Sequence, residues 1–151
     1  MSKARSYEEV LQYAIEREQE AQRDYEAAAA TMKNAAMRDA LLEMAAQERG
    51  HEHKLRGLDV GKFLQQAKTP VPSLDIAEYV VAGEFHPGMS YPELLSLAMQ
   101  REKASYRLYT DLARITPDPD ARALLKALAQ EEARHKLAFE VEFDEHVLRE
   151  N

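Results

Sequence analysis

The stretch that decides the fold is LAQEEARHKL, residues 128–137. Around it the apolar residues fall three and four apart, so that Ala121, Leu125, Leu128, Phe139 and Val141 mark the inward face of a helix. The same count lands on Glu132 and His135. A core helix has no ordinary use for an acid and an imidazole there, because a buried carboxylate without a partner is strongly destabilising.

Working outward, the same pairing occurs a second time. A helix is expected from near Asn34, with Met37, Leu41, Met44, Glu48, His51 and Leu55 inward, ended or interrupted by Gly57. Two further helices carry one seam glutamate each. Leu11, Ala14, Glu18, Ala21, Tyr25, Ala28 and Met32 form one face, and Leu95, Ala98, Glu102, Ser105, Tyr109 and Leu112 the other. Each of these opens on a capping box, Ser6 to Glu9 and Ser90 to Glu93, the second with Pro92 in its first turn. TPDPD (116–120) separates the third helix from the fourth.

Residues 58–89 read as a crossover, since Pro70 and Pro72 forbid continuous helix and only 73–83 has the pattern of a short helix, ended by Gly83. The expectation is one all-α domain over 1–151, with hairpin one at 6–57, a crossover at 58–89 and hairpin two at 90–145. Moving 84 residues along the chain superposes the halves: Ser6 on Ser90, Glu18 on Glu102, Tyr25 on Tyr109, Glu48 on Glu132, His51 on His135. Without a gap, 15 of the 46 positions from 6 to 51 are identical. Two such hairpins make a four-helix bundle with approximate two-fold symmetry.

Bulk properties narrow the function. The chain has 151 residues, a net charge of −7, no cysteine and no apolar run of the roughly 20 residues that a membrane helix needs. Disulfides, zinc–thiolate sites, iron–sulfur clusters and thiol catalysis are excluded, and a nucleic-acid partner is not expected of an acidic chain. The opening MSKARSYEEV lacks the apolar core of a signal peptide, so the expected compartment is the cytoplasm, away from membranes.

Glu18, Glu48, Glu102 and Glu132 therefore meet His51 and His135 in the bundle interior, with no Lys or Arg on the seams. In a helix, residues three apart point the same way, which aligns Glu48 with His51 and Glu132 with His135. Two divalent cations would balance four carboxylates, with one neutral histidine for each. Such an oxygen-rich set favours two iron ions, with manganese as the alternative and zinc able to substitute. One glutamate from each of two helices plus Glu-x-x-His from each of the others is the ligand set of ferritin-like di-iron carboxylate proteins.

On Glu18-x-x-Ala21-x-x-x-Tyr25, Glu48-x-x-His51, Glu102-x-x-Ser105-x-x-x-Tyr109 and Glu132-x-x-His135, the sequence resembles the rubrerythrin branch of the ferritin-like superfamily from about residue 6 to 145. The resemblance implies a ferritin-like four-helix bundle in which Glu48 and Glu132 bridge two irons. Glu18 with His51, and Glu102 with His135, would be the terminal ligands. The chain departs from rubrerythrins proper in two places. Ser105 stands where they have a further glutamate, which removes a switching ligand and brings the site closer to the six-ligand bacterioferritin type. The absence of cysteine removes the rubredoxin-type iron site, so electrons must come from a separate protein.

The favoured function is an oxidoreductase that reduces hydrogen peroxide or dioxygen with Fe(II), using an external redox protein as donor, as a homodimer protecting against oxidative stress. A ferroxidase or iron-storage subunit is one alternative, although the chain stops soon after the fourth helix where ferritins usually carry another. A metal-binding bundle without turnover is the other. Tyr25 and Tyr109 are expected either to hydrogen-bond a ligand carboxylate or to be core aromatics. Arg17 and Arg101 read as surface ion-pair partners. Glu16, Glu20, Glu43, Glu52 and Glu131 lie off the seam and read as a solvated face, and His53, His86 and His146 as surface residues. Ile15, Val80, Val81 and Leu97 are open to either a dimer interface or packing under the crossover.

Overall fold

The computed structural model describes residues 5–58 and 74–148. Four long helices dominate: α1 (Tyr7–Ala30), α2 (Ala35–Arg56), α3 (Tyr91–Ile115) and α4 (Pro119–Phe143). Among the described residues, one 3-10 turn, Ile76–Tyr79, lies between the hairpins, and a π-helical turn, Asp144–Leu148, continues α4. The described residues contain no strand.

Side chains fix where each helix begins. Ser6 accepts the Glu9 amide at 3.2 Å while Glu9 accepts the Ser6 amide at 3.3 Å, and Ser90 and Glu93 repeat this at 3.3 and 3.4 Å. Asn34 caps α2 through the Met37 amide at 3.1 Å, and Asp118 caps α4 through Ala121 at 2.9 Å, with Pro119 starting that helix. Short turns make α1–α2 and α3–α4 antiparallel pairs. At the α3–α4 turn the Thr116 carbonyl accepts both Nε and Nη2 of Arg122, at 3.0 and 2.8 Å. The Thr116 hydroxyl donates to the Leu112 carbonyl at 2.6 Å and lies 2.7 Å from Tyr7 Oη, which ties the start of α1 to the end of α3.

The core is divided in two. One apolar cluster joins the first half of α1 (Tyr7 to Ile15), Leu55 at the end of α2, Leu108 to Ala113 of α3, Ala121 to Ala129 of α4, and Leu74 and Tyr79 of the crossover. The other joins Tyr25 to Ala29, Met37 to Ala45, Leu94 to Ala98 and Phe139. Between them every helix contributes buried polar residues: Glu18, Glu48, His51, Glu102, Glu132 and His135. The bundle has apolar ends and a polar waist.

Two expectations change here. The helix expected over 73–83 is only the turn Ile76–Tyr79, capped by Asp75, and it ends at Val80 in an extended conformation. Gly83 lies beyond it at φ 101°, a left-handed position that offers its carbonyl to Arg101 Nη2 at 2.8 Å. Val141 is 46% exposed rather than inward. It follows Phe139 by two residues, roughly 200° around a helix, so both cannot face the core. Ile15 and Leu97 are buried, whereas Val80 is 63% exposed. Residues 59–73, with the Pro70 and Pro72 part of the expected crossover, lie outside the described residues.

Candidate metal centre

The polar waist contains two groups of four potential ligands. Glu18, Glu48, His51 and Glu132 form one, and Glu48, Glu102, Glu132 and His135 the other. In each group, one ligand atom per residue lies within 4.8 Å of all the others. That span suits opposite ligands on a single cation with bonds of roughly 2.0–2.2 Å. Glu48 and Glu132 belong to both groups, as the local two-fold relation between the hairpins requires.

Both imidazoles turn Nδ1 inward. His51 Nδ1 lies 2.8 Å from Glu132 Oε1, and His135 Nδ1 lies 3.0 Å from Glu48 Oε1. The other two glutamates are at 3.6 Å in each case, Glu18 from His51 and Glu102 from His135. These nitrogens and oxygens are close but not aligned as donor and acceptor. Glu18 Oε2, Glu48 Oε1, His51 Nδ1, Glu102 Oε2, both carboxylate oxygens of Glu132 and His135 Nδ1 are all buried without a hydrogen-bond partner. Buried polar atoms in folded proteins are nearly always satisfied. Unsatisfied atoms from six residues, gathered at one place, are what a cation site looks like.

The outer atoms, by contrast, are held firmly. Tyr25 donates to Glu102 Oε1 and Tyr109 to Glu18 Oε1, so each tyrosine fixes the glutamate of the other hairpin. His51 Nε2 is hydrogen-bonded to Glu131 and His135 Nε2 to the side-chain oxygen of Gln47. With the proton on Nε2, each Nδ1 lone pair is free to bind a cation.

Four residues around the centre correct the sequence reading. Glu131 does not belong to a purely solvated face but reaches across the bundle to His51. Glu52 is also half-buried, accepting from Gln19 and Gln22 of α1 at 3.0 and 2.8 Å and from Arg56 at 2.9 Å. Glu20 is half-buried too, between Arg17 and Arg101. Arg101 is more than a surface partner: with a side chain only 19% exposed, it joins Glu20 (2.6 Å) and Asp24 (2.7 Å) of α1 to Gly83 of the crossover. Glu16, Glu43, His53, His86 and His146 are exposed.

The electrostatics ask for positive charge. Burial, then the neighbouring carboxylates, pushes Glu48 and Glu132 well above the ordinary carboxylate range. Burial would lower His51, but Glu18 and Glu131 outweigh it and the net shift is upward. Glu102 moves down, because His135, Glu132 and the Tyr25 hydroxyl outweigh the effect of burial. Burial and the adjacent glutamates raise Tyr25 and Tyr109 well above the usual phenol value, so both stay protonated donors. Without cations, protons must supply the missing charge.

A cavity of about 80 Å³ leads to this centre between α1 and α3, beneath the crossover. It is bordered by Tyr13, Val80 and Arg101 and reaches Glu48, Glu102, Glu132 and Tyr25. Ala21 and the half-buried Ser105 lie along it at equivalent places in the two hairpins.

Residues 9–142 match the family model for rubrerythrin. The chain belongs to the rubrerythrin family. Among solved structures, a ferritin-like diiron-carboxylate protein from Thermotoga maritima, assigned provisionally as such, is 22% identical with a TM-score of 0.80, over 97% of this chain and 99% of that one. A hypothetical protein from Pyrococcus furiosus is 24% identical with a TM-score of 0.72, over 92% and 89%. KatB, a manganese catalase from Anabaena, is 19% identical with a TM-score of 0.64, over 95% and 75%. These likenesses establish the ferritin-like fold. No curated protein sequence matches. This chain has Ser105 one turn after Glu102 and contains no cysteine.

Proposed function

We propose that Glu18, Glu48, His51, Glu102, Glu132 and His135 hold two iron ions, and that the protein uses them to reduce hydrogen peroxide or dioxygen with electrons from a separate redox protein. One observation carries the reading: buried, unpartnered ligand atoms fall into two sets that share Glu48 and Glu132. Membership of the rubrerythrin family supports iron. The oxygen-rich donor set also suits manganese, the metal of the catalase that shares the fold.

A bound pair of Fe(II) ions supplies two electrons at one place, which is what cleavage of a peroxide O–O bond consumes. Reduction of one hydrogen peroxide takes two electrons and two protons and yields two waters. The chain's own residues prepare for this. Glu48 and Glu132 span both positions, while Tyr25 and Tyr109 hold the terminal glutamates from behind. Glu131 and Gln47 keep the imidazole lone pairs inward. The apolar clusters exclude water from both ends, and the cavity between α1 and α3 leaves a way in for a molecule of peroxide size. Ser105 offers no carboxylate, so it would add no further acidic ligand to the centre. With no cysteine there is no thiolate-ligated electron carrier within the chain.

The test is anaerobic loading with Fe(II), followed by rapid mixing with peroxide or oxygenated buffer. Oxidation should run faster than in buffer, and an added electron donor should restore the reduced state. No acceleration with either oxidant overturns the reading. Size-exclusion chromatography separates the expected homodimer from a storage cage.

A further inference from the structure

The two-fold relation between the hairpins breaks immediately behind the imidazoles. Position 131 lies 84 residues after position 47, and there one hairpin has glutamate and the other glutamine. Each crosses to the other hairpin, Glu131 of α4 to His51 of α2 and Gln47 of α2 to His135 of α4. The Gln47 amide is oriented by its own Nε2, which donates to Glu43 at 3.5 Å, leaving the carbonyl oxygen for the imidazole. The inner residues do not differ in this way: both sides have Glu, Glu-x-x-His and a tyrosine donor.

A carboxylate that accepts the Nε2 proton makes the opposite ring nitrogen a stronger donor and adds negative charge nearby. An amide does the first weakly and the second not at all. Glu131 pairs with no Lys or Arg among the described residues, so its charge is directed at His51. The cavity adds a second asymmetry. Its lining includes the shared Glu48 and Glu132 and neither histidine, but of the two remaining glutamates it includes Glu102 and not Glu18.

We infer that the two cation positions are unequal, with Glu131 as the positioning residue that makes the Glu18–Glu48–His51–Glu132 position the tighter. The first cation enters there. The second enters the Glu48–Glu102–Glu132–His135 position, which the cavity reaches and from which it exchanges more readily. This rests on the proposed reading of the centre as a two-cation site.

The experiment is titration of metal-free protein with Mn(II), followed by calorimetry and by electron paramagnetic resonance. The wild-type chain should bind in two steps, the first about 10–100-fold tighter, the usual scale of an outer hydrogen-bond partner's effect. An isolated-ion signal should precede the signal of a coupled pair. Glu131→Gln should weaken the first step by about that factor and bring the steps together. Gln47→Glu should tighten the second, which tests the idea even if Glu131→Gln fails to fold. Glu18→Ala should remove the tight step and Glu102→Ala the weak one. Two cations bound with steps that neither Glu131→Gln nor Gln47→Glu alters would overturn this inference and leave the proposed centre standing. So would loss of the tight step in Glu102→Ala. No Mn(II) or Fe(II) binding at all would overturn both.

Discussion

At the scale of single residues, Glu48 and Glu132 differ from the other candidate ligands because each belongs to both groups. Replacing either with alanine should cost both cations, whereas Glu18→Ala should mainly weaken one; metal analysis after dialysis distinguishes the two patterns. Tyr25 carries a different load. Its hydroxyl donates to a buried carboxylate, and a hydrogen bond to a charged group contributes about 1.5–3 kcal/mol. Tyr25→Phe should therefore lower the unfolding free energy by about that much, read from denaturant melts, with Tyr109→Phe matching it at Glu18. The six inward residues were legible in the sequence because helical spacing placed acids and imidazoles where leucines belong. Glu131 was not. Its neighbour Glu132 owns the inward direction on α4, and the contact of Glu131 is with a histidine on another helix, which periodicity within one helix does not encode. The signal was nevertheless present, in the polar residue that precedes Glu-x-x-His in both halves.

At the scale of elements, the helix starts were the most legible feature, because a capping box is written in adjacent residues. Ser6→Ala and Ser90→Ala should each destabilise the fold by about 1 kcal/mol, seen as a shift of the denaturation midpoint with an unchanged slope. The crossover was read less well. Its turn owes its length to Asp75 and to the burial of Tyr79, whose hydroxyl donates to Asp111 of α3 at 2.6 Å. The Tyr79 contact is tertiary, invisible to a local pattern. Arg101 was misplaced for the same reason: its partners Glu20, Asp24 and Gly83 come from two distant segments.

At the scale of the whole molecule, the metal-free protein should depend on pH in a direction set by its centre. Glu48 and Glu132 have folded-state values raised above the unfolded value of about 4.3, so the folded chain holds more protons than the unfolded one above that pH. Their contribution is present at low pH and lost as pH rises through the raised values. His51, also raised, has the same sign, and Glu102, lowered, opposes it. The melting temperature of metal-free protein should thus fall between about pH 5 and 8. Saturating cation should reverse that slope, since protons then compete with it, and should stabilise by about 2.7 kcal/mol for each site at a hundredfold excess over Kd. Calorimetric scans with and without metal check both signs. The bundle itself followed from the repeat across 84 residues, which an isolated helix pattern would not have revealed.

The division of ligands between the hairpins has a kinetic consequence. One group takes three residues from the first half of the chain and Glu132 from the second; the other takes three from the second and Glu48 from the first. Ions bound there would act as rivets through the seam, since neither half owns a complete nest. The ion of the first group, whose Glu18 and His51 lie off the cavity, would depart only when the halves part, so its escape and the breathing of the whole molecule become one event. Chelators should strip that ion no faster than the slowest-exchanging interior amides open, and the other ion sooner.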